Sequence, residues 1–137
     1  MVRTHSARRF RRALDARVIE EAIRRVRAAT GAEVRVVVSP AFWGSVRRNA
    51  ERAFRLFGLA DSRHQHGVLL FVVPRRRAFV ILGGAGLHAR AGEDLWPDAR
   101  DRLAQAFKQG RYTEGILEAV ERIGDEIARH FPAPPAG

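Results

Sequence analysis

The sequence of 137 residues contains no cysteine, a single lysine and no apolar run long enough to cross a bilayer. The absence of cysteine excludes disulfides, thiol catalysis and metal sites with cysteine ligands. The longest apolar run, Val68 to Val73, is the length of a strand, whereas a membrane-spanning helix needs about 20 residues. The arginine-rich N-terminus lacks the apolar core of a signal peptide. We therefore expect a soluble chain without a membrane segment or signal peptide, in a compartment that the sequence does not specify.

The motifs of several enzyme classes are also absent. The sequence has no HExxH metalloprotease motif, no DxDxDG calcium loop and no P-loop, and its glycines do not match GxGxxG. The serines, at positions 6, 39, 45 and 62, do not lie in a nucleophile-elbow context. These absences argue against a serine hydrolase and against the common nucleotide-binding enzymes.

Positive charge is concentrated in the first half of the chain. The formal net charge is +10, and residues 1–77 hold 18 basic and 6 acidic side chains, whereas residues 78–137 hold 7 and 9. Such asymmetry is typical of a surface for phosphates or anionic lipid. A bias toward arginine is the favoured explanation, since Lys108 is the only lysine. No known nucleic-acid motif is present, so a nucleic-acid partner is not expected.

Hydrophobic periodicity predicts four helices and three strands. Asp15 and Gly31 have the residue types that cap the two ends of the first helix. The second helix, after Ser45, is expected to bury one apolar face that reaches Phe57. Strands are expected over residues 33–38, 67–73 and 78–82, and the last two helices are expected to begin at Pro97 and after an N-cap at Thr113.

These elements predict an α/β fold. A helix separates the first two strands, which should therefore be parallel, whereas the link from Pro74 to Arg77 permits only an antiparallel hairpin. We expect a three-layer αβα sandwich, Rossmann-like, with a small mixed sheet between helices on both faces. Residues 1–14 form a basic arm or helix extension, residues 15–131 form the domain, and residues 132–137 form a disordered proline-rich tail.

The ends of the first two strands predict one edge of the sheet that suits anions. Ser45 lies at a helix N-terminus, where backbone donors bind anions, and Arg75, Arg76 and Arg77 add charge-assisted hydrogen bonds. The alternative is that these arginines are solvated turn residues. Phe42 and Trp43 precede Ser45, and we expect them to pack as an anchor of the loop.

The opposite edge of the sheet suits a metal ion. Asp61, His66, Glu93 and Asp94 are the candidate ligands; His64 would point away from His66 in an extended loop. The turn glycines Gly83, Gly84 and Gly86 end the third strand there. The alternative is structural: a capped loop, acids that favour a helix dipole, and glycines that permit a sharp turn.

Three stretches of the sequence resemble the TPM domain family. They are "TGAEVRVVV", "AFRLFGLADSRHQHGVLLFVVPRRRAFVILGGAGLHARAGEDLW" and "AFKQGRYTEGILEAVERIGDEIARHFP". The resemblance is greatest to the bacterial branch called putative membrane protein, which is related to thylakoid-lumen proteins of photosystem repair. It implies a Rossmann-like αβα sandwich, an extracytoplasmic or membrane-associated setting and, in some members, calcium binding or acid phosphatase activity.

The chain departs from the family pattern at the metal edge. His66 stands in the usual asparagine position before the second strand, and Gly84 replaces the acidic residue after the third. Calcium needs several oxygen ligands, so the site is depleted. Calcium or another divalent cation is the candidate cofactor, and the sequence does not establish that either one binds. We expect a non-catalytic TPM module that acts on an anionic partner or a membrane-associated protein. The alternatives are a weak divalent-metal-dependent acid phosphatase, with a small phosphate ligand, and nucleic-acid binding through the arginine-rich half.

Overall fold

The computed structural model describes residues 15–40, 43–59, 67–84 and 96–130. Helices and strands follow one another in the predicted order, and each strand boundary agrees with its prediction to within one residue. None of the helices in these ranges is long and apolar enough to cross a membrane. The helices are α1 (Ala16–Thr30), α2 (Val46–Leu56), α3 (Pro97–Lys108) and α4 (Tyr112–His130), and the strands are β1 (Val34–Val38), β2 (Val68–Val73) and β3 (Ala78–Gly83).

The described strands form one mixed sheet in the order β1-β2-β3. β1 and β2 are parallel, with Val36 opposite Leu70. β2 and β3 are antiparallel, with Leu70 opposite Ile81, as the short link between them requires. All six residues of β2 are buried, because this strand has a neighbour on each side and helices over both faces.

Alternate residues of β2 face two separate cores. Val68, Leu70 and Val72 pack against α1, α3 and α4, whereas Leu69 and Phe71 pack against α2. We call residues 15–31 and 96–130 the three-helix layer, and residues 43–59 the α2 layer. Full burial of a side chain such as Leu70 contributes about 2 kcal/mol, so both layers are held firmly on the sheet. The three-layer αβα sandwich is confirmed.

The caps of α1 match their predictions. The Asp15 carboxylate accepts hydrogen bonds from the backbone N–H groups of Arg17 (3.2 Å) and Val18 (3.4 Å). Gly31 adopts a left-handed conformation, φ 73°, and its N–H donates to the carbonyl of Arg27 at 2.7 Å. Glycine adopts this conformation without the steric penalty that a β-carbon brings.

The predicted N-cap of α4 is wrong. α4 begins at Tyr112, so Thr113 lies inside its first turn. The Thr113 hydroxyl accepts a hydrogen bond from the backbone N–H of Asp15 at 3.0 Å. This contact joins the start of α4 to the start of α1. The Thr113 hydroxyl therefore accepts from the backbone of α1's N-cap instead of capping its own helix.

The predicted inner face of α2 is right except at its end. Val46, Ala50, Ala53 and Phe54 belong to the core against β2 and β3. Phe57 follows the last helical turn and keeps 42% of its surface exposed. The guanidinium carbon of Arg35 lies 4.7 Å from the centre of its ring, so the aromatic face is covered by a cation–π contact rather than by the core.

Candidate anion-binding surface

The N-terminus of α2 and the β2–β3 hairpin meet at one edge of the sheet, as predicted. The guanidinium of Arg76 donates a hydrogen bond to the carbonyl of Gly44, the residue before Ser45. The backbone N–H of Ser39 donates to the carbonyl of Val72 at 2.8 Å, which continues the β1–β2 pairing to the same edge. The structure therefore brings the Ser45 and Arg76 segments together; anion binding there stays a prediction. We call residues 43–45 and 74–77 the arginine edge.

Arg77, the last of the three predicted arginines, closes the turn of the hairpin. Arg77 is exposed and left-handed, φ 49°, and its N–H donates to the carbonyl of Pro74 at 3.0 Å. This conformation closes the 3₁₀ turn and lets β3 run back beside β2. The side chain of Arg75 lies outside what the structure describes.

The loop before α2 is held on two sides. The Ser45 hydroxyl accepts from the backbone N–H of Arg48 at 3.2 Å, as an N-cap does. The Asn49 side chain donates to the carbonyl of Trp43 at 3.4 Å, and Arg76 holds the neighbouring Gly44 carbonyl. The backbone at Trp43 and Gly44 is thus tied to both α2 and the hairpin.

Trp43 does not pack as an anchor, contrary to expectation. Its side chain is 81% exposed, although indole is among the side chains that lose most by exposure to water. The carbonyls of Trp43 and Gly44 accept the hydrogen bonds that hold this loop, and the Trp43 side chain belongs to neither described core cluster. Phe42, the second aromatic residue expected there, lies outside the described residues.

An arginine stripe runs along the exposed side of α2. Arg48, Arg52 and Arg55 recur at spacings of four and three, which place them on one face of a helix, and all three are exposed. None of the three has an ion pair with any residue in the described ranges; the neighbouring Arg47 reaches Glu51 at 3.9 Å. Sequence reasoning missed this stripe, although its spacing is visible in "RRNAERAFR".

The three-helix layer has no such excess. Its ranges hold ten basic and ten acidic side chains, whereas the α2 layer holds four arginines and one glutamate. Arg102 lies between Glu118 (2.7 Å) and Asp98 (3.4 Å), and Arg122 contacts the same two acids. The hydrogen bond to Glu118 raises the pKa of Arg102. Net positive charge is therefore concentrated on the α2 layer rather than on the three-helix layer.

The opposite edge of the sheet is described only in part. Val68 N–H donates to the carbonyl of Glu33, and Gly84 N–H donates to the carbonyl of Gly67, both at 2.8 Å. The Glu33 carboxylate lies 3.8 Å from Arg27 and 3.9 Å from Arg35. Within the described ranges no three metal-ligating side chains come together. The candidate ligands Asp61, His66, Glu93 and Asp94, together with Gly86, lie outside those ranges.

The profile of the TPM domain matches residues 7–126, most of the chain. The chain belongs to the TPM domain family. This confirms the family resemblance that the sequence motifs indicate. The matched range contains both the arginine edge and the α2 layer, so the arginine stripe is part of the TPM domain itself. The comparison with curated proteins gives no match.

Three solution structures are similar to this TPM domain. The BA42 protein from the psychrophilic bacterium Bizionia argentinensis has a TM-score of 0.79 and 30% identity, over 87% of this chain and 84% of that one. The N-terminal domain of a P. gingivalis protein has a TM-score of 0.73 and 22% identity, over 87% and 79%. The N-terminal domain of a Corynebacterium glutamicum protein has a TM-score of 0.64 and 20% identity, over 87% and 74%. The last two show likeness of fold alone.

Proposed function

We propose that this TPM domain is a non-catalytic module that binds an anionic partner through its α2 layer. The observation that carries the proposal is the arginine stripe of Arg48, Arg52 and Arg55. These side chains are exposed and lack an acidic partner in the described residues, whereas the three-helix layer balances its charges. Guanidinium groups bind carboxylate and phosphate oxygens through paired hydrogen bonds.

The arginine edge extends this surface beyond the helix. Ser45 and Arg76 lie at the N-terminal end of α2, where the helix dipole is positive and its first turn holds no acidic residue. An anionic group bound there would meet the helix dipole and the guanidinium of Arg76 together. Under this proposal the predicted anion site and the stripe act as one surface that favours negative charge.

Heparin, a soluble polyanion, tests the proposal through retention on a heparin column. The variant R48Q/R52Q/R55Q removes the stripe, and R24Q/R25Q/R129Q removes three arginines from the three-helix layer, so both variants lose the same formal charge. Arg24, Arg25 and Arg129 have acidic partners at 2.9, 3.8 and 3.2 Å, so their removal should matter little.

We expect wild type and the control variant to elute at similar salt concentrations and the stripe variant to elute at a clearly lower one, because phosphate and sulfate contacts weaken steeply with salt. Equal elution of the two triple variants would show that only net charge counts and would overturn the proposal. Circular dichroism checks that each variant is folded.

A further inference from the structure

We propose that the anionic partner of the α2 layer is the headgroup surface of a lipid bilayer, into which Trp43 inserts. This inference rests on the proposed function and names its partner. The arginine stripe alone would suit any polyanion. The exposed apolar side chains that accompany it narrow the choice to a surface that is negatively charged and apolar at once.

The exposed large apolar side chains collect on the α2 layer. Among the described residues they are Trp43 (81%), Leu56 (79%), Phe57 (42%) and Val18 (38%). The first three belong to the α2 layer, and Val18 is the most covered of the four. Arg35 contacts the ring of Phe57, and Trp43 and Leu56 keep the largest exposed fractions of the four.

Trp43 and Leu56 lie at opposite ends of α2. Trp43 precedes the first turn and Leu56 ends the last one, and a helix of 11 residues is about 16 Å long. Arg48, Arg52 and Arg55 lie between them along the exposed side. The apolar face of α2 packs against the sheet, so the helix would meet a bilayer with its arginines among the headgroups and only Trp43 and Leu56 reaching below them.

Trp43 has the side chain that the bilayer interface favours most. Indole has an apolar body and a polar N–H group, and tryptophan is enriched at the level of the headgroups. The loop is already fixed through the carbonyls of Trp43 and Gly44, so insertion would order little further backbone. Arginines near an anionic leaflet each strengthen attachment by about fivefold.

A protein partner fits these observations less well. A protruding indole needs a matching pocket on a protein, whereas a fluid bilayer accepts it without one. A groove of about 340 Å³, lined by Ala22, Val26 and Gly124 among others, lies between α1 and α4 in the three-helix layer, away from Trp43. The vesicle experiment distinguishes a bilayer from an acidic protein partner.

The experiment measures binding of the full chain to vesicles of phosphatidylcholine with and without phosphatidylglycerol. Quenching of tryptophan fluorescence by brominated lipid reports insertion. The chain has two tryptophans, and Trp96 is only 4% exposed and belongs to the three-helix layer. W43F leaves Trp96 alone and supplies the background signal.

We expect wild type to bind only the vesicles that contain phosphatidylglycerol, with quenching that W43F lacks. W43A should weaken vesicle binding on the order of tenfold. L56A should weaken it in the same direction. Both side chains are exposed, so neither variant threatens the fold.

The outcomes separate this inference from the proposed function. Vesicle binding that depends on the stripe, but proceeds without quenching of Trp43 and equally well in W43A, overturns insertion and leaves anion binding in place. Retention on heparin without any vesicle binding overturns the bilayer and leaves a soluble acidic partner. Failure of the stripe variant to differ from its control on heparin and on vesicles overturns both.

Discussion

The backbone N–H of Gly84 donates a hydrogen bond to the carbonyl of Gly67, with 2.8 Å between nitrogen and oxygen. Gly67 directly precedes β2 and Gly84 directly follows β3, so the segments that hold Asp61 and Glu93 begin from adjacent points of one edge. A site shared by the two segments requires that adjacency, and the hydrogen bond shows it for the two glycines.

The first prediction concerns divalent metals at this edge. Titration of calcium, magnesium and zinc should leave the amide resonances of Gly67 and Gly84 unshifted. The carboxylate of Glu33 is engaged with Arg27 and Arg35, and the sequence offers histidine and glycine where oxygen ligands are needed for calcium. Saturable shifts centred on residues 61–67 and 83–96 would instead favour a metal-dependent phosphatase.

The second prediction concerns the close approach of α4 to α1 at Gly124. A β-carbon at this position would lie 2.7 Å from Cγ2 of Val26 and 3.3 Å from its Cγ1. Val26 is buried and β-branched, so it has little freedom to move. G124A should lower the free energy of unfolding by about 1–2 kcal/mol, measured by urea denaturation.

The same substitution in a V26A background is the matched control. There the β-carbon meets no branched side chain, and alanine is favoured over glycine in a helix by about 1 kcal/mol. G124A should therefore be neutral or stabilising in that background. An equal loss of stability in both backgrounds would place the strain elsewhere.

The third prediction concerns the left-handed backbone of Arg77, φ 49° and ψ 41°. A residue with a β-carbon loses about 1–2 kcal/mol in this conformation, and glycine does not. R77G should raise the free energy of unfolding by about 0.5 kcal/mol after the greater chain entropy of glycine in the unfolded state is subtracted. R77A removes the same charge and keeps the β-carbon, so a gain in R77A as large as in R77G would refute the backbone explanation.

The fourth prediction concerns the ion pair of Glu21 and Arg24 on α1, 2.9 Å apart. The hydrogen bond from Arg24 lowers the pKa of Glu21 below its ordinary value of 4.5. R24Q should raise that pKa toward 4.5, as followed by carboxyl-carbon chemical shifts, whereas R48Q should leave it unchanged. The lowered pKa means that the pair stabilises the fold above pH 4.5 and that this contribution is lost as acid protonates Glu21 in the folded state.

The fold was predictable where residues close together in the sequence permit only one local structure. Four residues from Pro74 to Arg77 cannot make a parallel crossover, so the hairpin followed from its length alone. Asp15 and Gly31 are residue types that suit the two ends of a helix, and both serve there. In each case the deciding contact joins residues that are close in the sequence.

The wrong predictions depend on contacts between distant parts of the chain. The hydroxyl of Thr113 serves the backbone of Asp15, 98 residues away, and Arg35 of β1 covers Phe57 at the end of α2. Periodicity marks Arg48, Arg52 and Arg55 as one face of a helix, but only the tertiary fold shows which arginines have acidic partners.

The balance of charge in the three-helix layer has a consequence for how the molecule approaches its target. Ten cations against ten anions cancel at a distance, while the α2 layer keeps an excess of three positive charges, so the two sides of the sheet differ in formal charge. Near a negatively charged plane, that difference exerts a torque over roughly one Debye length, about 8 Å at physiological salt. The domain would turn its α2 layer toward the plane before contact, and association would be faster at low salt concentration.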